Sequence, residues 1–262
     1  VGALTSKDFR FKQRVWFLET FDAICNGCSK GCNIYVDHRK EKYKDDQIHR
    51  FRPRRNDSVN GFFMCDEGRL SYENEANNRF EISLINNEET NFSNTITNMF
   101  KELTTQKNIL FVLSPNLSLE EIQNVNNLAN KLEAKVSGYS PDTFDENFKD
   151  DYLKTNDKSA NRAAFKELEI NDEKKYFNDS LNTSDLVIII DNKYFDNNLD
   201  LLNNKKVISL FSYNCKTIEN SNIAIPISSF YEKSGTYINS NGIKQKMISK
   251  INKNNPMESI TT

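Results

Sequence analysis

A surplus of charge of either sign is missing from this 262-residue chain: 35 lysines and arginines stand against 37 aspartates and glutamates, a formal net charge of −2. General nucleic-acid binding, which needs a basic surplus to displace counterions, is disfavoured on that ground. Long apolar runs are missing too. The longest, at 109–113 and 186–190, are strand-sized and far too short to cross a bilayer, so no direct membrane insertion is expected. No charged-then-apolar leader opens the chain, which argues against secretion. The first residue is Val rather than Met, from which we expect an upstream segment. There is no P-loop, no GxGxxG, no internal repeat, and no nucleophile with a positioned base. We therefore expect no independent catalytic site and no small-molecule substrate bound by this chain. What remains is a polar sequence, 37% hydrophobic, long enough for one or two domains with a real core.

Cysteine is scarce but patterned. Four of the five residues, Cys25, Cys28, Cys32 and Cys65, read C-x2-C-x3-C-x32-C; the fifth is Cys215. An odd count without a leader makes a disulfide framework improbable. Thiolates are soft ligands that select zinc, copper(I) or iron–sulfur clusters. Structural zinc usually uses two separated pairs. Here three ligands share one tight loop and the fourth comes from afar, which favours one 4Fe-4S cluster held by all four cysteines, with zinc as the alternative. Gly27 and Gly31 lie between the ligands, where they let backbone N–H groups approach sulfur or simply make turns. Lys30 and Arg69 are nearby cations that would raise the potential of an anionic cluster, or ordinary surface. His38 and His49 are read as surface residues, because four cysteines already close a ligand shell. Cys215 is read as a buried small hydrophobe.

The pattern along the chain gives an α/β fold: a small β-rich cluster domain, then an α/β domain with a mostly parallel sheet. Residues 33–37 alternate like a strand. The basic stretch after them, including Arg39, Arg50, Arg52, Arg54 and Arg55, reads as a solvated hairpin or as a docking face for an acidic partner. Residues 93–106 have helical spacing and 108–114 form an apolar strand. Ser118-Leu119-Glu120-Glu121 is a capping box opening a helix with Ile122, Val125, Leu128, Ala129 and Leu132 on one face. Residues 185–191 are an apolar, mostly β-branched run between two acids, as in a strand covered on both sides, and 205–211 form another strand. Asp191, at a strand end, is placed either at a ligand crevice or at a plain strand terminus. The domain boundaries expected are a connector at 1–22, the cluster domain at 23–75, a linker at 76–91 with an edge strand within 80–85, the α/β domain at 92–246, and a flexible tail at 247–262.

Several strings together resemble the large iron–sulfur subunit of NADH:quinone oxidoreductase, the G subunit of respiratory complex I. The opening Val1-Gly2-Ala3-Leu4-Thr5-Ser6-Lys7-Asp8-Phe9-Arg10 is similar to a family segment that follows an upstream cluster ligand. The cysteine element, ending Cys65-Asp66-Glu67-Gly68-Arg69, resembles the 4Fe-4S domain that the family shares with molybdopterin oxidoreductases. Asp157-Lys158-Ser159-Ala160-Asn161-Arg162 is similar to a segment of the molybdopterin-like domain. Glu232 through Gln245 follows the pattern E-x-x-G-T-x-x-N-x-x-G-x-x-Q, in which Gly235, Asn239 and Gly242 read as turns between short strands.

The resemblance implies an electron-transfer subunit of a proton-translocating respiratory complex. Its partners would be the other complex I subunits, and its place peripheral, on the cytoplasmic side of a bacterial inner membrane. The α/β region is shorter than in typical members, hence a reduced molybdopterin-oxidoreductase-like domain. Where true molybdopterin enzymes place a lysine two residues after the fourth ligand, this chain has Glu67, so no molybdopterin is expected. The alternatives are the cluster-bearing part of a molybdopterin oxidoreductase such as a formate dehydrogenase, and a zinc-stabilised interaction module.

Overall fold

The computed structural model describes residues 5–40, 46–75 and 77–251. The fold is mixed α/β, with two small antiparallel sheets beside one larger, mostly parallel sheet, as the sequence pattern implies. The opening tetrapeptide Val1-Gly2-Ala3-Leu4, the stretch 41–45 within the basic region and most of the 247–262 tail lie outside the described residues.

The first sheet is a three-stranded antiparallel meander of β1 (Glu19–Ile24), β2 (Asn33–Arg39) and β3 (Gln47–Pro53). Its inward face alternates as a half-buried sheet should, with Phe21, Ala23, Ile34, Val36 and Phe51 buried. The basic hairpin is not simply solvated. Asp37, almost wholly buried, accepts hydrogen bonds from Thr20 Oγ1 at 2.6 Å and from Arg52 Nε and Nη2 at 2.8 and 2.9 Å, and also binds Arg50. Burial alone would raise the Asp37 carboxyl, but Arg52, Thr20 and Arg50 together hold it below the usual carboxylate range. His38 is buried as well, its Nδ1 2.9 Å from Asp46 and the Phe21 ring edge-on to its imidazole. The reading of His38 as a surface residue is corrected: strand alternation turns it inward, and Asp46 supplies the polar partner that burial requires. His49, on β3, is half-buried.

A group whose carboxyl is depressed in the fold stabilises it above the unfolded-state value and loses that contribution as pH falls through the folded value. Asp37→Asn is therefore expected to cost about 1.5–3 kcal/mol at pH 7, the range for hydrogen bonds to charged groups. The difference from wild type should shrink once the pH falls below the ordinary aspartate value of about 3.9. Urea unfolding of both proteins at pH 7 and in acid checks this.

Two short helices follow, α1 (Asp66–Leu70) and α2 (Tyr72–Glu75), and then the large sheet begins. Its elements in chain order are β4 (Ser83–Ile85), β5 (Glu88–Thr90), α3 (Phe92–Thr105), β6 (Ile109–Leu113), α4 (Leu119–Lys131), β7 (Lys135–Ser137), α5 (Ala163–Glu167), α6 (Lys174–Thr183), β8 (Leu186–Ile190), β9 (Lys206–Phe211), α7 (Lys216–Glu219) and β10 (Ile223–Pro226). Spatially the order is β5-β4-β10-β9-β8-β6-β7; β10 through β7 run parallel, and β4 and β5 form an antiparallel edge. The stretch expected to hold an edge strand, 80–85, does form β4, but β4 pairs with both β10 and β5, so the edge of the sheet is β5.

All five residues of β6 and all five of β8 are buried, because both faces are covered. Ile109, Phe111, Leu113, Ile188 and Ile190 face a core with Leu103 of α3, Ile122 and Val125 of α4 and Phe165 of α5. Leu110, Val112, Val187 and Ile189 face the other, with Phe177 of α6 and Ile218 of α7. The Ser118 capping box forms with both bonds: Glu121 N–H donates to Ser118 Oγ at 3.2 Å, and Ser118 N–H to Glu121 Oε2 at 2.8 Å. The hairpin of β11 (Gly235–Ile238) and β12 (Lys244–Met247) completes the fold. A third core joins this hairpin to the first sheet, with Phe230, Tyr231, Tyr237 and Met247 packed among Ile24, Ile34 and Phe51. Among the described residues no helix is long and apolar enough to cross a membrane.

Candidate metal centre

The β1–β2 connection carries three of the four patterned cysteines. Cys25 directly follows β1 and Cys32 directly precedes β2; Cys25 N–H donates to the Cys32 carbonyl at 2.8 Å, closing the loop at its base. Gly31 N–H donates to the Cys28 carbonyl at 3.2 Å, and Gly31 adopts φ +65°, a left-handed turn that keeps the loop tight. Cys65 sits at the N-cap of α1, its Sγ accepting the Gly68 N–H at 3.3 Å. The chain reaches it through a loop pinned by Asn60, which accepts Asn33 N–H at 2.9 Å and donates to the Phe63 carbonyl at 2.9 Å. That tie to β2 is what brings residue 65 back to residues 25–32.

The four thiols converge. A Cβ added at Gly68 would lie 2.9 Å from Cys25 Sγ and 3.3 Å from Cys65 Sγ, so these two sulfurs flank one point beside the first turn of α1, where only glycine leaves room. Every pair among the four is within electrostatic reach: Cys25 feels Cys28, Cys32 and Cys65; Cys32 feels Cys28 and Cys65; Cys65 feels Cys28. Cys25, Cys28 and Cys32 are buried and Cys65 is half-buried. Burial pushes the Cys25 thiol far up, the Cys32 thiol to about 12, and the Cys65 thiol upward. Without a counter-charge the Cys25, Cys32 and Cys65 thiols stay protonated; a bound cationic centre would release those protons. Among the described residues, no three His, Cys, Asp or Glu side chains close to the spacing that a single metal ion requires.

Donors and cations are present at the rim. Gly27 N–H points to Cys25 Sγ at 3.4 Å. Lys30 lowers the Cys32 thiol and holds the Tyr152 carbonyl at 2.8 Å. Arg69 is only loosely paired with Asp66, at 4.0 Å. Lys154, which the sequence does not single out, binds Glu67 Oε1 at 2.9 Å and acts on Cys65. It is one lysine in an acidic loop, and nothing local marks it.

The segments at 157–162 and 232–245 clamp the cysteine loop. Ser29 N–H donates to the Asp157 carbonyl at 2.8 Å, and Ser240 N–H to the Ser29 carbonyl at 2.7 Å. Asn239 Nδ2 donates to the Lys30 carbonyl at 3.2 Å and Gln245 Nε2 to the Gly31 carbonyl at 2.9 Å; Gln245 also accepts from Asn33. Asn161 ties the clamp to the large sheet, donating to the Leu117 carbonyl at 2.7 Å and accepting Ile238 N–H at 2.6 Å. Read from the sequence, this signature makes only turns. In the fold its amides also satisfy the carbonyls of the loop between Cys28 and Cys32.

Cys215 takes no part in the mutual interactions of the four. It is half-buried rather than buried, with a thiol pushed up to about 12 by burial. It lines a polar cleft of about 610 Å³ at the carboxyl ends of the parallel strands, together with Ser114, Asp191, Ser212, Tyr213 and Glu75. Asp191 therefore stands at a crevice, where β6 is flanked by β7 on one side and β8 on the other, the switch point at which such sheets bind ligands. Its carboxylate is engaged, accepting from Ser212 N–H at 3.3 Å and Oγ at 3.1 Å.

Residues 18–77 match the family model of the molybdopterin oxidoreductase Fe4S4 domain, a segment that contains all four cysteines. Beyond that class, the chain is similar to the G subunits of NADH-quinone oxidoreductases. It is 34% identical over 122 residues to the G subunit of Pseudomonas fluorescens, covering 45% of this chain and 13% of that protein. Against the G subunit of Rickettsia felis it is 30% identical over 155 residues, covering 56% and 22%. Against the NADH-ubiquinone oxidoreductase 75 kDa subunit of Reclinomonas americana it is 31% identical over 128 residues, covering 49% and 16%. The chain thus spans about a fifth or less of the length of these relatives. The resemblance drawn from the sequence holds.

Proposed function

We propose that this chain is the iron–sulfur portion of a subunit of a respiratory, proton-translocating NADH:quinone oxidoreductase, holding one 4Fe-4S cluster through Cys25, Cys28, Cys32 and Cys65. The observation that carries the reading is that Cys65 returns to the loop holding Cys25, Cys28 and Cys32, three buried thiols and one half-buried within electrostatic reach of one another, inside the segment that matches an Fe4S4 domain. Four thiolates on one zinc would sit about 3.8 Å apart, from a Zn–S bond of about 2.3 Å. A four-iron cubane holds its thiolates farther apart.

When bound, the cluster supplies a one-electron carrier. The chain's own residues do the rest. Gly27 and Gly68 N–H groups, directed at Cys25 and Cys65 sulfur, favour negative charge there. Lys30 and Lys154 add cations at the rim. Phe51, Tyr231 and Ile24 form the packed wall that keeps water out. We propose no pterin: Glu67 stands where a molybdopterin oxidoreductase carries a lysine, and its carboxylate holds the Lys154 ammonium. The proposed units are a cluster domain at 23–75 and a reduced α/β domain at 92–246. In this reading the chain has no catalytic site of its own and binds neither nucleic acid nor a small-molecule substrate. It acts as a peripheral part of the assembled complex, with the other subunits as partners, on the cytoplasmic side of a bacterial inner membrane.

The test is anaerobic purification followed by visible absorption and EPR after dithionite reduction. A broad brown absorbance and a low-temperature signal of a reduced spin-one-half cluster are expected. A colourless, EPR-silent protein containing zinc would overturn the reading in favour of an interaction module, and molybdenum or tungsten with pterin would favour a molybdopterin oxidoreductase.

A further inference from the structure

On the cleft that Asn26, the residue after Cys25, also lines is a buried acid that the reading above does not use. Glu75, at the end of α2, is buried to 9% exposure and borders the 610 Å³ cleft. Tyr213 Oη donates to its Oε2 at 2.8 Å, and the Ser229 hydroxyl is a second partner. The buried Arg79–Glu232 pair, 2.6 Å apart, faces it from the neighbouring segments, one charge of each sign. Lys193 and Arg79 stand over the Tyr213 ring, and Asp191 acts on its hydroxyl. Lys233 lines the same cleft, with its ammonium held by Glu121 at 2.8 Å.

Tyr231 links the neighbourhood of Glu75 to the cysteine loop. The Tyr231 hydroxyl accepts Asn26 N–H at 3.2 Å and donates to Asn26 Oδ1 at 3.2 Å, next to Cys25, and it feels both the Cys25 sulfur and the Glu75 carboxylate. Asn26, the residue after Cys25, lines the same cleft as Glu75, so the cysteine loop and the buried acid border one polar space with Tyr231 in contact with the loop. Burial pushes the Glu75 carboxyl up to about 7, against the pull of Tyr213, Arg79 and Ser229. It is poised to gain or lose a proton near neutrality, and the polar cleft gives that proton a way in.

We propose that one-electron reduction of the cluster is coupled to uptake of one proton by Glu75 through this cleft. The inference rests on the cluster reading above. The step balances simply: a one-electron donor, such as an adjacent iron–sulfur centre, reduces the cluster by one electron, and the Glu75 carboxylate takes one proton from water in the cleft to become the neutral acid. The added negative charge disfavours a second one at Glu75, so the carboxyl's affinity for its proton rises on reduction. Between the oxidised-state and reduced-state values the potential then falls as pH rises; outside that window it is flat.

The experiment is an EPR-monitored redox titration of the full chain with its cluster in place, across pH 5.5 to 9, for wild type, Glu75→Gln and Tyr213→Phe. The wild-type potential is expected to fall, in the window that opens near pH 7, by up to about 59 mV for each tenfold drop in proton concentration, the value for one proton per electron. Glu75→Gln should flatten the dependence. Tyr213→Phe, which removes a donor to the carboxylate, should move the window to higher pH. A pH-independent potential in the wild-type protein, or an unchanged slope in Glu75→Gln, would overturn the proposal and leave the cluster reading standing. A chain that takes up no iron or sulfide would overturn the cluster reading itself. Should Glu75→Gln fail to hold a cluster, reduction-induced infrared difference spectra of the wild type decide: a protonated-carboxyl band gained on reduction supports the coupling, and its absence refutes it.

Discussion

Replacing Cys65 with serine is expected to lower iron and sulfide bound per chain by more than tenfold while leaving the large sheet folded. The substitution is clean for structural reasons. Cys65 is the N-cap of α1, its sulfur accepting the Gly68 N–H, and serine is a strong N-cap that preserves that bond. Neither core flanking the large sheet includes residue 65. What is lost is one thiolate of four. Even changes to groups that merely support a metal ligand cost 10–100-fold in affinity, so loss of the ligand should cost at least as much. Cys215→Ser is the matched control. Residue 215 lies outside the mutual interactions of the four, and its loss should leave iron content unchanged. Iron and sulfide assays with far-ultraviolet circular dichroism on both variants read the outcome directly.

The second large effect is at Lys233. Its ammonium lies 2.9 and 2.8 Å from the two carboxylate oxygens of Glu121, with the side chains only 4% and 1% exposed. Lys233→Met leaves the Glu121 carboxylate buried with no cation, and breaking a buried pair from one side costs about 3–5 kcal/mol. Restoring neutrality with Glu121→Gln in the same chain should return part of that loss, since an amide keeps an acceptor for the Ser118 N–H of the capping box. Equilibrium urea unfolding at pH 7 measures both. The pair also joins α4 to the segment that leads into β11 and the Asn239 and Gln245 clamp. The single variant should therefore lose its cluster at lower urea than wild type.

Local periodicity makes the large sheet readable. The apolar runs at 109–113 and 186–190 are strands because they are short, β-branched and buried on both faces, and the Ser118 box forms with both of its bonds. The cysteine spacing likewise singles out four residues whose thiols the fold brings within electrostatic reach of one another, the set proposed above as ligands. What stays hidden depends on side-chain contacts that no local pattern marks. His38 reads as surface because Asp46, which lets it be buried, carries no local signal. The 232–245 signature shows its turns but not that its amides reach back about 210 residues to the carbonyls of Lys30 and Gly31. Lys154 and Glu75 are single charged residues in polar surroundings. Only the folded chain shows one beside Glu67 and the other beneath Tyr213.

The most direct measurement of the central claim is native mass spectrometry of the anaerobically purified chain. The expected mass increment over the polypeptide is four iron and four sulfide atoms, lost as a unit in Cys65→Ser. A single zinc ion bound by the same chain, or an unchanged increment in that variant, would contradict it.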